Sequence, residues 1–240
     1  MQKNLVLKTT DKNFRIYGVL DALPRSSKLI IFVHGLTGHK NEHHFYNAAK
    51  FFNQKGFDTF RFDLYSGEAK GRRLERCSII THSLDVGAVI RYFAKKYKNI
   101  YLVGHSLGGP SILGADLSGV KKIVLWDPSC SSDEESQESW CVYDKKIGAY
   151  RVDWGVTYLM SKEMVDDWRN LDSEKWYKNC IVPLKVVAAG KGFLKKEWKK
   201  LIHGFSAKHE LVVISGAGHC FDEGDTEQSL FRETLTWFKK

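Results

Sequence analysis

A serine flanked by glycines follows a short apolar run near the middle of the chain. Ser106 lies in GHSLGG (residues 104–109), directly after IYLV (residues 100–103). The pattern Gly-x-Ser-x-Gly, with a strand before it and a helix after it, is typical of a nucleophile held on a sharp strand-to-helix turn. Such a turn has strained backbone angles, and glycines leave room for it against neighbouring strands. The motif predicts that Ser106 attacks an acyl carbon.

An earlier glycine-containing loop has the composition expected of an oxyanion hole. The loop HGLTG (residues 34–38) follows the apolar run LIIFV (residues 29–33). A tetrahedral intermediate carries a negative oxygen, which two preplaced backbone N–H groups stabilise. The residue after the nucleophile, Leu107, supplies one donor, and we expect the earlier loop to supply the other from Leu36.

A histidine late in the chain is the candidate general base. His219 lies in GAGHCF (residues 216–221), after the apolar run LVVI (residues 211–214). A base must reach the serine hydroxyl from a loop at the same sheet edge, and the chain order serine, acid, histidine places it last. We therefore predict that His219 activates Ser106.

The other histidines are weaker candidates. His105 lies inside the elbow and is expected to point away from its serine. His39, His43 and His44 have no acidic or cysteine partners at metal-ligand spacing, and we interpret them as surface helix residues. We therefore predict neither a metal nor an organic cofactor.

These three segments, in this order, resemble the α/β-hydrolase superfamily over nearly the whole chain. The segments FRFDLYSGE (residues 60–68), SLDV (83–86) and IRYF (90–93) are most similar to the small capped esterases, namely the cinnamoyl/feruloyl esterases and monoacylglycerol-lipase-like enzymes. The resemblance implies an α/β-hydrolase fold, with a mostly parallel central sheet flanked by helices and a small inserted cap. It also implies ester or thioester hydrolysis through an acyl-enzyme.

The chain departs from this family at the position of the triad acid. The family's Gly-x-x-Asp is replaced by AAGKGFL (residues 188–194), which contains no carboxylate. Asp127, at the end of an earlier strand, is the leading replacement because some lipases of the superfamily hold their acid there. Asp222, Glu197 and the absence of any acid remain open. Asp63 is expected to organise its loop instead.

Hydrophobic periodicity places these motifs on an alternating series of strands and helices. We predict an opening hairpin (residues 3–9 and 14–20) and strands at residues 28–33, 58–62, 99–103, 121–126, 183–189 and 210–215. Helices are predicted at residues 42–55, 79–97, 107–117, 195–201 and 227–240. Residues 1–129 and 180–240 would form the core.

Residues 130–179 differ in composition and are predicted to form the cap. This segment is polar at first, then rich in aromatic residues, and ends in an amphipathic stretch near residues 160–168. Large aromatic side chains above a catalytic serine could form an apolar pocket, although a small insertion also needs them for packing. They are Trp140, Tyr143, Tyr150, Trp154, Tyr158 and Trp168.

Composition narrows the class of protein. The chain has 240 residues and a net charge of +9, but its lysines are scattered along helical segments without a nucleic-acid-reading motif, so we expect no nucleic-acid partner. The first residues contain no signal-like apolar core, and every apolar run is too short to span a bilayer. An odd number of cysteines, five, without C-x-x-C favours a reducing compartment. We therefore expect a cytoplasmic location without stable membrane insertion; the oligomeric state stays open.

Together these features predict a serine hydrolase that cleaves carboxylic esters of small molecules. Two alternatives stay open. The missing Gly-x-x-Asp would also suit a catalytically degraded hydrolase that acts as a binding protein. The same machinery also serves thioesterases and peptidases, because it attacks any acyl compound.

Overall fold

The computed structural model describes residues 1–130, 141–153 and 156–240. Its strands are Gln2–Lys8 (β1), Arg15–Asp21 (β2), Lys28–Val33 (β3), Asp58–Phe62 (β4), Asn99–His105 (β5), Val120–Trp126 (β6), Cys141–Asp144 (β7), Ala149–Asp153 (β8), Thr157–Met160 (β9), Leu184–Ala189 (β10) and His209–Ile214 (β11). Its α-helices are His43–Gln54 (α1), Ile79–Ala94 (α2), Gly108–Leu113 (α3), Lys162–Arg169 (α4), Ser173–Asn179 (α5), Leu194–Leu201 (α6) and Thr226–Lys239 (α7). Short 3₁₀ turns cover Leu74–Arg76 and Ile202–Gly204.

Eight strands form one sheet in the order β1-β2-β4-β3-β5-β6-β10-β11. The pairs β1–β2 and β2–β4 are antiparallel, and every pair from β4 to β11 is parallel. The mostly parallel sheet predicted from the sequence is therefore confirmed. Because β3, β5, β6, β10 and β11 run in the same direction, the loops after them meet at one edge of the sheet.

Both faces of this sheet are covered, which explains the unbroken apolar runs of its central strands. Along β3, Leu29, Ile31 and Val33 contribute to one buried cluster, and Ile30 and Phe32 contribute to another on the opposite face. The first cluster also contains apolar residues of α2, α3 and α6, and the second contains residues of α1 and α7. The two layers of helices therefore hold the strand ends in fixed positions.

The helix after Ser106 is shorter than predicted. It ends at Leu113, whereas the prediction extended it to residue 117. Asp116 Oδ1 accepts hydrogen bonds from the Ser118 N–H (3.0 Å) and from the Ser118 hydroxyl (2.6 Å). Such a local turn competes with helix formation and ends the helix before β6.

The described parts of residues 130–179 form a second, three-stranded antiparallel sheet, β7-β8-β9, followed by α4 and α5. The sequence indicated an amphipathic stretch near residues 160–168, where α4 lies, but did not indicate these short strands. A third buried cluster joins Val152, Met160 and Met164 of this segment to Leu107, with Leu36 packed against it. The segment therefore contacts both loops predicted to hold an oxyanion.

None of the helices within the described ranges combines the length and apolar character needed to cross a membrane.

Candidate active site

The sharp turn at Ser106 has the geometry expected of a nucleophile elbow. Ser106 has a φ of 52°, in the left-handed region that non-glycine residues rarely adopt. Its N–H donates to Trp126 O (3.1 Å), and its carbonyl accepts from the Gly109 N–H (2.9 Å) and the Ser129 N–H (3.1 Å). Hydrogen bonds to neighbouring elements thus hold the strained residue in place.

Two glycines allow the elbow to lie against the neighbouring loop. A Cβ at Gly108 would lie 2.2 Å from Val33 O, and a Cβ at Gly35 would lie 2.9 Å from Ser106 Cβ. Both distances are far below van der Waals contact. Gly35 and Gly108 are therefore required, because the end of β3 and the loop after it lie so close to the start of α3.

The loop that contains His219 lies beside this elbow. His105 Nε2–H donates to His219 O (2.9 Å), and the two imidazole rings are 4.7 Å apart. His105 is buried, and burial lowers its pKa to about 3, so its ring stays neutral. This hydrogen bond fixes the backbone of the His219 loop to the residue preceding Ser106.

The His219 side chain has a buried carboxylate on one nitrogen and an open side on the other. Its Nδ1 lies 2.6 Å from Asp127 Oδ2, and the His219 side chain is 45% exposed. In the described part of the chain, no group hydrogen-bonds to its Nε2. The Ser106 hydroxyl lies 3.4 Å from the Ser129 hydroxyl and makes no hydrogen bond to His219. In ligand-free sites, catalytic hydrogen bonds are often long and tighten only when substrate binds.

Asp127 is held rigidly by its surroundings. It is 1% exposed, its φ is 38°, and its N–H donates to Val187 O (2.8 Å). Its second carboxylate oxygen, Oδ1, accepts the Ala189 N–H (2.9 Å). Since β6 and β10 are neighbours, the end of β6 brings this carboxylate next to the place where the family's usual acid would be.

The other carboxylates considered from the sequence have different partners. Asp222 Oδ1 lies 2.5 Å from His43 Nε2, and Glu197 forms an ion pair with Lys200 at 3.1 Å. Asp63 accepts the Lys40 N–H (2.7 Å) and pairs with its ammonium group (2.5 Å). Asp63 thus ties down its loop, in the role predicted for it.

The loop after β3 forms a tight turn in which the Gly38 N–H donates to Gly35 O (3.2 Å) and Thr37 has a φ of 62°. Within the described ranges, neither the Leu36 N–H nor the Leu107 N–H donates a hydrogen bond to another group. Two backbone donors are therefore available at the two positions predicted from the sequence.

His34 fixes this turn, a role that the sequence did not indicate. Its Nε2 accepts the Leu64 N–H (2.9 Å), and its Nδ1–H donates to Gly35 O (2.8 Å). Burial lowers the pKa of His34 to about 4, so the ring remains neutral and keeps both bonds. In the sequence, the only indication of this role was the position of His34 directly after a buried strand.

The prediction that His44 is a surface residue is wrong. It is 2% exposed, and its ring lies 4.8 Å from that of His105 and 6.0 Å from that of Trp126. The buried residues of α1 are His44, Phe45, Ala48, Ala49 and Phe52, which form one helical stripe. The helical spacing of positions 44, 48 and 52 could have revealed this burial.

A cleft of about 390 Å³ opens beside the turn at residues 35–38. Its lining includes Gly38, Lys40, Tyr65, Arg73 and Leu74. This volume suits a small ligand, but neither Ser106 nor His219 lines the cleft.

Comparison with known proteins gives a family and a fold. Residues 24–173 match the model of the family described as serine aminopeptidase, S33, which is more than half of the chain. No curated protein sequence matches the chain.

Solved structures resemble the chain over its full length. Est1E from Butyrivibrio proteoclasticus with bound ferulic acid has a TM-score of 0.80 at 21% identity, covering 98% of this chain and 100% of its own. The esterase EaEST from Exiguobacterium antarcticum has a TM-score of 0.73 at 15% identity, covering 99% and 100%. Mouse alpha/beta hydrolase domain-containing protein 10 has a TM-score of 0.74 at 15% identity, covering 99% and 98%. At these identities the likeness establishes the α/β-hydrolase fold, as the sequence predicted.

Proposed function

Since the chain belongs to the serine aminopeptidase S33 family and has the α/β-hydrolase fold, we propose that it is a serine hydrolase that cleaves carboxylic esters of small molecules. The observation that carries the proposal is the 2.6 Å contact between His219 Nδ1 and the buried Asp127 Oδ2, beside the elbow of Ser106. An imidazole oriented in this way presents Nε2 as the basic nitrogen.

The acylation step uses Ser106 as nucleophile. His219 Nε2 takes the hydroxyl proton while Ser106 Oγ bonds to the acyl carbon, and the carbonyl oxygen becomes an oxyanion. The Leu36 and Leu107 N–H groups donate to that oxyanion. The intermediate then collapses, the ester C–O bond breaks, and His219 returns the proton to the leaving alkoxide.

The deacylation step repeats this chemistry with water. His219 Nε2 takes a proton from the water that attacks the acyl-enzyme, and the proton passes to Ser106 Oγ as the acyl bond breaks. The carboxylate of Asp127 accepts the His219 Nδ1–H throughout and stabilises the imidazolium form. Apart from the substrate and this water, the steps use protein groups alone.

The apolar contacts made by the described part of residues 130–179 favour an apolar acyl or aryl group in the substrate. We propose that this segment is a cap over the site, because Met160 and Met164 share a buried cluster with Leu107. Tyr150 and Tyr158 pack against the same cluster, whereas Trp140 and Trp154 lie outside the described residues. The ferulic acid bound to Est1E supports an aromatic acid as one acyl group to test.

An active-site-directed fluorophosphonate tests the nucleophile. We expect it to label the wild-type protein once per chain and to leave Ser106→Ala unlabelled. Failure to label a folded wild-type chain, or labelling that survives Ser106→Ala, would overturn the assignment.

Parallel turnover assays test the class of bond. We expect hydrolysis of short p-nitrophenyl esters, and we expect it to be lost in His219→Ala. Faster cleavage of acyl thioesters or aminoacyl amides would instead favour a thioesterase or a peptidase. Binding of these compounds with no turnover of any would favour the degraded, ligand-binding alternative.

A further inference from the structure

Two imidazoles and a carboxylate meet behind the elbow, outside the groups used in the proposed reaction. Glu42 precedes α1, His44 lies in the first turn of that helix, and His105 ends β5. One ligand atom from each of the three side chains lies within 4.8 Å of the other two. Imidazole nitrogen and carboxylate oxygen are the usual ligands of Zn²⁺ outside cysteine sites.

Two of these side chains carry buried polar atoms that have no hydrogen-bond partner among the described residues. These atoms are Glu42 Oε2 and both ring nitrogens of His44, whose side chain is 3% exposed. Leaving such atoms unsatisfied in the interior costs free energy, so each one calls for an explanation. A bound cation would satisfy the carboxylate oxygen and one imidazole nitrogen together.

The separation of the Glu42 and His44 atoms fits a shared ion better than a direct hydrogen bond. Glu42 Oε2 lies 3.7 Å from His44 Nε2, which is too long for a hydrogen bond. Two ligands at zinc bond lengths of about 2.0–2.1 Å in a tetrahedral arrangement lie roughly 3.3 Å apart. A contraction of a few tenths of an ångström would bring both atoms to that separation.

His105 already has the hydrogen bond that orients a metal-binding histidine. Its Nε2–H donates to His219 O, so in the neutral ring the lone pair lies on Nδ1. Histidines that bind metals usually donate their other N–H to a carbonyl or carboxylate in this way. The Glu42 side chain is 26% exposed, so one edge of the cluster borders solvent.

We propose that Glu42, His44 and His105 form a binding site for a divalent transition-metal ion such as Zn²⁺, with water completing the coordination. The ion would join the start of α1 to the end of β5. Through His105 it would also stiffen the loop that carries His219. The site takes no part in acyl transfer, and its existence does not depend on the proposed esterase activity.

Metal titration of the full chain, after chelator treatment and dialysis, tests this site. Co²⁺ is followed by its visible d–d absorption and Zn²⁺ by calorimetry, each with circular dichroism to verify folding. We expect one ion per chain, a higher melting temperature with Zn²⁺, and no comparable effect of Mg²⁺, which prefers all-oxygen octahedral sites.

Matched variants separate this site from the surface histidines. His44→Gln and Glu42→Gln should each weaken binding by at least the ~10- to 100-fold that loss of a supporting partner costs. The control is His43→Gln, since His43 is the adjacent histidine, is 52% exposed and directs its Nε2 at Asp222, although its ring packs edge-on against that of His44. This variant should bind the ion as the wild type does. If His44→Gln fails to fold, the more exposed Glu42→Gln carries the test.

Three results would overturn the proposal. They are a folded wild-type chain that binds neither Co²⁺ nor Zn²⁺, binding that survives Glu42→Gln and His44→Gln, and binding lost equally in His43→Gln. Because no readout uses ester turnover, each result is independent of whether the proposed hydrolase activity exists.

Discussion

Replacing the carboxylate of Asp127 by an amide tests the proposed triad most directly. Asp127 accepts two hydrogen bonds, from His219 Nδ1–H (2.6 Å) and from the Ala189 N–H (2.9 Å). The amide of Asp127→Asn has the same shape but only one acceptor oxygen, while both of its partners are donors. In one of the two contacts the new amide NH₂ therefore faces another N–H donor, unless His219 carries its proton on Nε2 instead of Nδ1.

The proton shift would remove the base. With the proton on Nε2, His219 cannot take the proton of Ser106, and the imidazolium loses its buried counter-charge. The same change in a serine protease lowers kcat by ~10⁴. We expect a similar loss here, which corresponds to about 5 kcal/mol of transition-state stabilisation. Asp127 is 1% exposed, so solvent water cannot substitute for its carboxylate.

The assay is hydrolysis of a short p-nitrophenyl ester, with kcat and KM measured separately and circular dichroism used to verify folding. Asp222→Asn and Glu197→Gln are the controls, because those carboxylates contact His43 and Lys200. We expect both controls to retain turnover. If kcat of folded Asp127→Asn falls by less than about tenfold, or ~1.4 kcal/mol, the proposed role of Asp127 is refuted. An equal fall of kcat in Asp222→Asn would refute it as well.

Two further perturbations follow from the contacts described. Gly35→Ala places a Cβ 2.9 Å from Ser106 Cβ, so we expect kcat to fall ~10²- to 10³-fold as the oxyanion donors move; unchanged kcat in a labelled, folded variant would contradict this. His82 is fully buried, and burial lowers its pKa from 6.5 to about 3. Its contribution to stability is therefore complete above pH 6.5 and is lost as pH falls towards 3, because the unfolded state takes up the proton first. When the pH is lowered from 7.5 to 5, the free energy of unfolding, measured with urea, should fall by about 2 kcal/mol more in the wild type than in His82→Leu. Equal falls in the two proteins would contradict the lowered pKa of His82.

The residue pattern by itself determined the local parts of the site. Apolar runs followed by glycine-rich turns predicted the strands before Ser106 and His219 and the loop that contains Leu36. These features depend on neighbours in the chain, since strand periodicity and the residue types of a tight turn are local properties of the sequence. The bounds of most strands and helices were accordingly predicted to within a few residues.

Only the tertiary structure decided which distant groups meet. Asp127 and His219 are 92 positions apart, and their contact depends on β6, β10 and β11 being neighbours in that order. The sequence favoured Asp127 for this position but left Asp222, Glu197 and the absence of any acid open. In the same way, His44 and His105 come together because the start of α1 packs against His105 and Trp126, the last residues of β5 and β6. Sheet order and helix packing are collective results of burying both faces of the sheet, so no single segment contains them.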